Sequence, residues 1–133
     1  MVAHALGGSV VRASQAEVGW YDIASQLPDV VAPGPWLQWH YDSFTVPSEF
    51  QCLATSPVGP QAILRERILA TQFHPEATEA IVSRWSSGEG ALELERLGIE
   101  TESLMNETHR HVVASRSASD RLVDWFVNEV AHS

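Results

Sequence analysis

Apolar and polar residues alternate, or apolar residues form short runs between Gly- and Pro-containing turns, through the first half of the chain. Both patterns are typical of β-strands. We predict two strands near the N-terminus joined by a polar turn, and a loop over 27–35 that is rich in proline. The run at 68–71 is predicted to be a buried strand. The predicted strands are 9–12, 17–23, 36–46, 52–55, 61–64 and 68–73.

From Thr78 onward the apolar residues recur every three to four positions, which indicates amphipathic helices. Residues 1–6 also favour a helix, which would stop at Gly7-Gly8. Strands followed by packed helices favour an α/β domain over a helix bundle. The predicted later helices start at Thr78 and end near Gly88, run over 92–97, start at about Thr101, and run over 122–130 after a capping box at 117–120.

The chain has 133 residues, enough for one domain, with a sheet-rich part over 1–87 and a helical tail over 88–133. Eight Arg and Lys against 17 Asp and Glu give a net charge of −9, which argues against nucleic acid or an anionic membrane as partner. The single cysteine predicts a cytoplasmic protein without a disulfide or a structural zinc site. We expect no cofactor, and the first residues are too short for a signal or membrane span.

The clearest candidate for chemistry is His74-Pro75-Glu76, at the end of an apolar run. Residues i and i+2 of an extended chain share a face, so the carboxylate can hold one nitrogen of the imidazole. The other nitrogen would then be directed outward as a general base. Pro75 ends the strand at this point. An isolated histidine of this kind is more often structural, and its context decides between the two interpretations.

His40 and Asp42 have the same spacing. Together with His74 and Glu76 they could form a metal site of two imidazoles and two carboxylates. This is the weaker interpretation, because nothing in the sequence places the two strands side by side.

Other titratable residues have simpler interpretations. His109 and His111 would lie on nearly opposite faces of a helix, so we predict solvated surface histidines. Cys52 is predicted to occupy a core strand position, without the helix N-terminus or cation that lowers the pKa of a nucleophilic thiol. An acidic run is predicted to be a solvated helical face, with steering of a basic partner as the alternative; its members are Glu93, Glu95, Glu100 and Glu102.

Gln72 to Glu76 resembles the His-Pro-Glu signature of class I glutamine amidotransferases, whose catalytic triad is Cys, His and Glu. The resemblance covers about residues 2–85, and the subgroup is the amidotransferase domain of GMP synthase. The other matching segments are Ala3 to Val10 (the helix and strand after the nucleophile), Glu17 to Trp20 (E-x-G-W), Trp39 to Phe44 (H-x-D) and Leu53 to Ser56 (L-A-x-S).

This resemblance implies an α/β fold: the C-terminal part of an open sheet with flanking helices, without its N-terminal parallel strands. It implies that His74 is the general base and acid, and that Glu76 orients it. It places His40, Tyr41 and Asp42 near the glutamine pocket. The implied partners are glutamine, a synthase domain or subunit, or a second copy of the chain.

In the family, the cysteine lies in a Gly-x-Cys-x-Gly elbow just ahead of the helix that residues 1–6 resemble. We therefore expect the nucleophile ahead of Met1 and expect residues 1–133 alone to be inactive. Three explanations remain open: Met1 is an internal methionine of a longer enzyme, the chain pairs with another subunit, or the domain is degenerate. The alternative function is a non-catalytic interaction or oligomerisation module that pairs through an exposed sheet edge, such as that of residues 10–23.

Overall fold

The computed structural model describes residues 2–132. Two antiparallel sheets with flanking helices make up the fold, which confirms the predicted mixed α/β class. The strands are β1 (Val10–Tyr21), β2 (Ala24–Ser25), β3 (Trp36–Phe44), β4 (Gln51–Ser56), β5 (Gly59–Arg65) and β6 (Ile68–Thr71). The helices are α1 (Val2–Ala5), α2 (Glu79–Trp85), α3 (Glu89–Arg96) and α4 (Thr101–Trp125), and a π-helical turn (Phe126–Val130) continues α4.

One sheet contains β1 and β3, and the other has the order β2-β4-β5-β6. The pairs β1–β3, β2–β4, β4–β5 and β5–β6 are all antiparallel. None of the helices described in residues 2–132 is long and apolar enough to cross a membrane.

Strand β1 differs from the prediction of two strands and a turn. It is one 12-residue strand whose pairing with β3 shifts register between Arg12 and Glu17. The polar stretch is thus accommodated as an irregularity within a paired strand, because β3 is long enough to pair on both sides of it. Beyond the shift, Glu17 lies directly opposite His40.

Strand β6 was predicted to be buried, and this is wrong. It lies at the edge of its sheet, pairs only with β5 among the described strands, and leaves Ile68 40% exposed. A tight hairpin joins β5 to β6, with Glu66 at a φ of 49° in its tip. After β6 the chain crosses to the other sheet, where the His74 amide donates to the Leu37 carbonyl at 2.9 Å.

Helix α2 begins as predicted, because the Thr78 hydroxyl accepts the Ile81 amide at 3.2 Å and so caps the first turn. Helix α4 differs, since a single 25-residue helix replaces the two that the sequence suggested. Ser117 lies inside it and accepts the Arg121 guanidinium at 3.2 Å instead of capping a new helix. Buried residues continue along one face through this segment, which keeps the helix intact; they include Ser115, Ala118 and Leu122.

The core has two parts. One cluster joins the larger sheet to the C-terminal half of α4, and it contains Trp36 and Phe73 stacked with ring centroids 4.5 Å apart. Such a stack contributes about 0.5–1.5 kcal/mol beyond the burial of its area. The second cluster lies under β1 and β3 and is covered by residues from α2, α3 and α4, including Val82, Leu94 and Leu104. Phe73, the residue immediately before His74, is therefore anchored in the first core cluster.

Candidate active site

His74 and Glu76 meet immediately after β6. The His74 Nδ1 and Glu76 Oε1 are 2.9 Å apart, as the i, i+2 spacing suggested. The His74 side chain is 27% exposed and that of Glu76 is 55% exposed, so the pair lies at the surface and not in the core. A carboxylate on Nδ1 holds the ring in one tautomer and leaves Nε2 as the nitrogen that can exchange a proton with a substrate.

Aromatic side chains hold the His74 ring from the other side. The indole of Trp85, at the end of α2, lies 4.8 Å from the imidazole centroid with the two planes at 71°. Trp39 of β3 packs against Trp85 in turn, at 5.9 Å and 80°. The imidazole is thus fixed by a carboxylate at one nitrogen and by an edge-to-face aromatic contact, which limits its rotation.

His40 lies mostly inside the protein. Its Nε2 is 3.0 Å from the Gln38 Oε1 and 3.2 Å from the Glu17 Oε1, while its Nδ1 is 3.2 Å from the backbone carbonyl of Asp42. Burial lowers the pKa of His40 below its ordinary value, whereas the Glu17 charge and the Asp42 carbonyl act against that change. The nearby His74 lowers the pKa of His40 further.

Tyr41 and Asp42 point in different directions from His40. The Tyr41 hydroxyl donates to the Glu93 Oε2 at 2.7 Å, and burial together with that carboxylate raises the pKa of Tyr41. The Asp42 side chain is exposed and lies 4.0 Å from Arg12, whose guanidinium is 5.0 Å from the centroid of the Tyr41 ring.

All three residues that the resemblance placed near glutamine line one cavity of about 470 Å³. The others that line it are His4, Val10, Ser43, Phe44 and Gln72. Gln72 connects this cavity to the His-Pro-Glu segment, two residues before His74.

Two carboxylates at the site were missed or misread in the sequence. Glu17 is only 1% exposed and accepts hydrogen bonds from Ser56 and Gln61. The sequence signals were its charge inside an apolar strand and its place at the start of the E-x-G-W match, neither of which gave it a role. Glu93 was interpreted as part of a solvated face, which is wrong, because it accepts the Tyr41 hydroxyl and the Trp39 indole N–H. These two hydrogen bonds are the main reason that the pKa of Glu93 is lowered.

Cys52 is half-buried in β4, so the predicted core position is only partly correct. Its thiol donates to the carbonyl of Ala54 at 3.4 Å. His109 is exposed as predicted but is paired with Glu79 at 2.7 Å. Within residues 2–132, no group of three or more His, Cys, Asp or Glu side chains is arranged to hold a metal ion.

The fold and the His-Pro-Glu geometry define a class: over its described residues the chain has the fold of a glutamine amidotransferase domain. The predicted resemblance to class I glutamine amidotransferases is confirmed by solved structures. A glutamine amidotransferase from Thermotoga maritima superposes with a TM-score of 0.86 at 26% identity, over 97% of this chain and 59% of that chain. This chain thus spans about three fifths of that relative's length.

Two further structures are similar. A glutamine amidotransferase from Methylobacillus flagellatus has a TM-score of 0.78 at 16% identity, over 97% of this chain and 59% of that one, which supports the fold alone. A candidate GMP synthase subunit from Thermoplasma acidophilum has a TM-score of 0.51 at 27% identity, over 57% of this chain and 43% of that one. No family model matches the sequence, and no curated protein matches it either.

Proposed function

We propose that this chain supplies the base and its orienting carboxylate to a glutaminase site, with a cysteine nucleophile from outside these 133 residues. The contact of 2.9 Å between His74 Nδ1 and Glu76 Oε1 carries the proposal. It is the arrangement that general acid–base catalysis beside a nucleophile requires.

In the proposed reaction, the cysteine thiolate attacks the side-chain amide carbon of glutamine. His74 donates a proton from Nε2 to the departing nitrogen, and ammonia leaves behind a γ-glutamyl thioester. His74 then removes a proton from water, the resulting hydroxide attacks the thioester, and glutamate and the thiolate are released. Glu76 keeps Nδ1 protonated throughout and stabilises the imidazolium form.

The cavity of about 470 Å³ that His40, Tyr41 and Asp42 line is the proposed glutamine pocket. Its volume lies within the range typical of small-molecule sites, about 300–1,000 Å³. The ammonia acceptor would belong to a synthase domain or to a separate synthase protein. One similar structure is a candidate GMP synthase subunit, which supports a partner of that kind. A cytoplasmic location is part of the same proposal.

Cys52 does not serve as the nucleophile in this proposal. Its thiol donates to the Ala54 carbonyl at 3.4 Å within strand β4. Residues 1–133 contain no other cysteine. The polypeptide of residues 1–133 is accordingly expected to be inactive by itself.

The experiment compares ammonia release from glutamine by residues 1–133 with release by a completed protein, extended by the in-frame sequence before Met1 or mixed with a nucleophile-bearing chain. We expect no activity from the first and activity from the second. Cys52→Ser should leave the completed protein's activity unchanged, whereas Glu76→Gln should lower kcat by about tenfold or more. The matched control is Glu79→Gln, which removes the carboxylate paired with a surface histidine. Glutaminase activity of residues 1–133 alone would refute the proposal.

A second candidate function is an interaction module. Val10 and Val11 of β1 are 41% and 57% exposed, and β3 is the one strand that pairs with β1 within residues 2–132. An exposed apolar edge of this kind can add a strand from another chain. Size-exclusion chromatography with light scattering tests it: a dimer that Val11→Lys dissociates supports the module, and a monomer at all concentrations contradicts it.

A further inference from the structure

We propose that Glu17 is a positioning residue, which sets the direction of a buried hydrogen-bond chain and thereby orients His40 at the wall of the glutamine pocket. The effect of Glu17 on catalysis rests on the proposed function, but the hydrogen-bond chain itself does not. Glu17 is buried in β1, and strand register places it directly opposite His40. A carboxylate only accepts hydrogen bonds, so every group that meets it must donate.

The Glu17 carboxylate sets the donor-to-acceptor direction of each hydrogen bond in this hydrogen-bond chain. The Ser56 hydroxyl and the Gln61 Nε2 donate to the Glu17 Oε1 at 2.8 and 3.3 Å. Because the Gln61 nitrogen faces Glu17, its Oε1 faces Gln38 and accepts the Gln38 Nε2 at 2.8 Å. The Gln38 Oε1 is then left to accept from His40 Nε2 at 3.0 Å. Both glutamines are completely buried, so water cannot compensate for an amide turned the other way.

The hydrogen-bond chain determines which nitrogen of His40 carries the proton of the neutral ring. Nε2 faces two acceptors, the amide oxygen at 3.0 Å and the Glu17 Oε1 at 3.2 Å. A neutral imidazole has one N–H, so neutral His40 is held as the Nε2–H tautomer. Protonation adds a hydrogen at Nδ1, which donates to the Asp42 carbonyl at 3.2 Å.

The Asp42 carbonyl also links the hydrogen-bond chain to the segment that carries the proposed catalytic pair. The Gln72 Nε2 donates to the Asp42 carbonyl at 2.9 Å, and Gln72 lies two residues before His74. When His40 is protonated, a continuous set of hydrogen bonds therefore runs from the buried carboxylate of β1, through β5 and β3, to the segment that carries the His-Pro-Glu motif.

The charged and titratable groups around His40 are few. Glu17 acts on it from β1 and raises its pKa, while His74 acts from the segment after β6 and lowers it. His4 of α1 and the Asp42 side chain line the same cavity. Removing the Glu17 charge should thus lower the pKa of His40 further, because burial then acts with less opposition.

The test is an NMR titration of residues 1–133 labelled with nitrogen-15 at histidine, with the His40 signals assigned from a His40→Gln spectrum. We expect neutral His40 to be the Nε2–H tautomer in the wild type. Glu17→Gln should lower the pKa of His40 by about one unit or more and mix the two tautomers. The matched control, Glu79→Gln, should leave His40 unchanged, because Glu79 is paired with His109 at 2.7 Å.

Two results would overturn the inference. One is an unaltered His40 titration in Glu17→Gln, and the other is a neutral wild-type His40 in the Nδ1–H form. The wild-type tautomer requires no variant, so it decides the question even if Glu17→Gln does not fold.

A second measurement keeps this inference separate from the proposed function. In the completed glutaminase, Glu17→Gln should raise the KM for glutamine more than it lowers kcat, because His40 lines the proposed pocket whereas His74 transfers the protons. A shifted His40 titration with an unchanged KM would contradict the positioning role. A completed wild-type protein without any glutaminase activity would instead refute the proposed function. The NMR titration would still test whether Glu17 orients His40.

Discussion

The hydrogen bond between Trp20 and Thr108 fixes helix α4 to strand β1, and replacing Thr108 by valine tests how much it contributes. The Trp20 Nε1 donates to the Thr108 Oγ1 at 2.9 Å, across 88 residues of sequence, and the same hydroxyl donates to the Leu104 carbonyl at 2.8 Å. Thr108 is completely buried and Trp20 almost so. Valine has nearly the shape of threonine, so Thr108→Val removes the hydroxyl without opening a cavity.

The expected cost follows from that geometry. Without an acceptor, the indole N–H stays in the interior unpaired, which costs about 1–3 kcal/mol of the free energy of unfolding. Because the penalty depends on the indole N–H, Thr108→Val should cost little in a Trp20→Phe background. The coupling energy of the double-mutant cycle should therefore be about 1 kcal/mol or more.

Urea unfolding followed by far-UV circular dichroism measures these free energies without relying on the fluorescence of the residue being changed. The denaturant slope should be the same in all four proteins, since the fold is retained. Thr108→Ser is the control that keeps the hydroxyl and removes one methyl group. An equal cost of Thr108→Val in the two Trp20 backgrounds would refute the role assigned to this hydrogen bond.

Three other predictions concern single residues. Gly90→Ala should destabilise the protein by about 3 kcal/mol or more, because the new Cβ would collide with the Trp85 carbonyl. At Gly98 a new Cβ meets open space, so Gly98→Ala should cost only about 1–2 kcal/mol for its φ of 71°. Equal shifts of the two variants in thermal unfolding would contradict this prediction. Since the pKa of His40 is lowered on folding, the unfolded chain takes up its proton first, so stability should fall as the pH drops through and below the ordinary histidine pKa of about 6.5. His40→Gln should flatten that dependence in denaturant titrations, and an unchanged slope would be inconsistent with the pKa direction. Tyr41→Phe should raise the pKa of Glu93 towards its ordinary value in a carbon-13 NMR titration, because the tyrosine hydroxyl is the main cause of the lowering.

The sequence predicted those features that depend on neighbouring residues. The His74–Glu76 contact follows from a spacing of two in an extended segment, and the start of α2 follows from the capping residue Thr78. The strands from Trp36 to Phe44 and from Gln51 to Ser56 were recognisable because apolar runs and turn residues bound them. In each case the determining interactions lie within a few residues along the chain.

Features that depend on distant residues could not be read in the same way. Glu17 faces His40 only because β1 and β3 pair in a particular register beyond an irregularity. Glu93 is engaged because α3 packs where the Tyr41 hydroxyl can reach it. The 25-residue α4 overrides a local capping signal at Ser117, since its buried face continues through that point. Tertiary packing decides such questions, and a local pattern contains no information about it.

The catalytic role of His74 is tested by the rate of glutamine hydrolysis by the completed protein, compared between His74→Ala and His109→Ala. Both variants remove a histidine whose Nδ1 is paired with a glutamate, at 2.9 Å for His74 and 2.7 Å for His109. Only His74 lies two residues from Gln72, which lines the proposed glutamine pocket. We predict that His74→Ala lowers kcat/KM by about a hundredfold or more, while His109→Ala leaves it unchanged. A His74→Ala protein that hydrolyses glutamine at the wild-type rate would show that His74 is not the catalytic base.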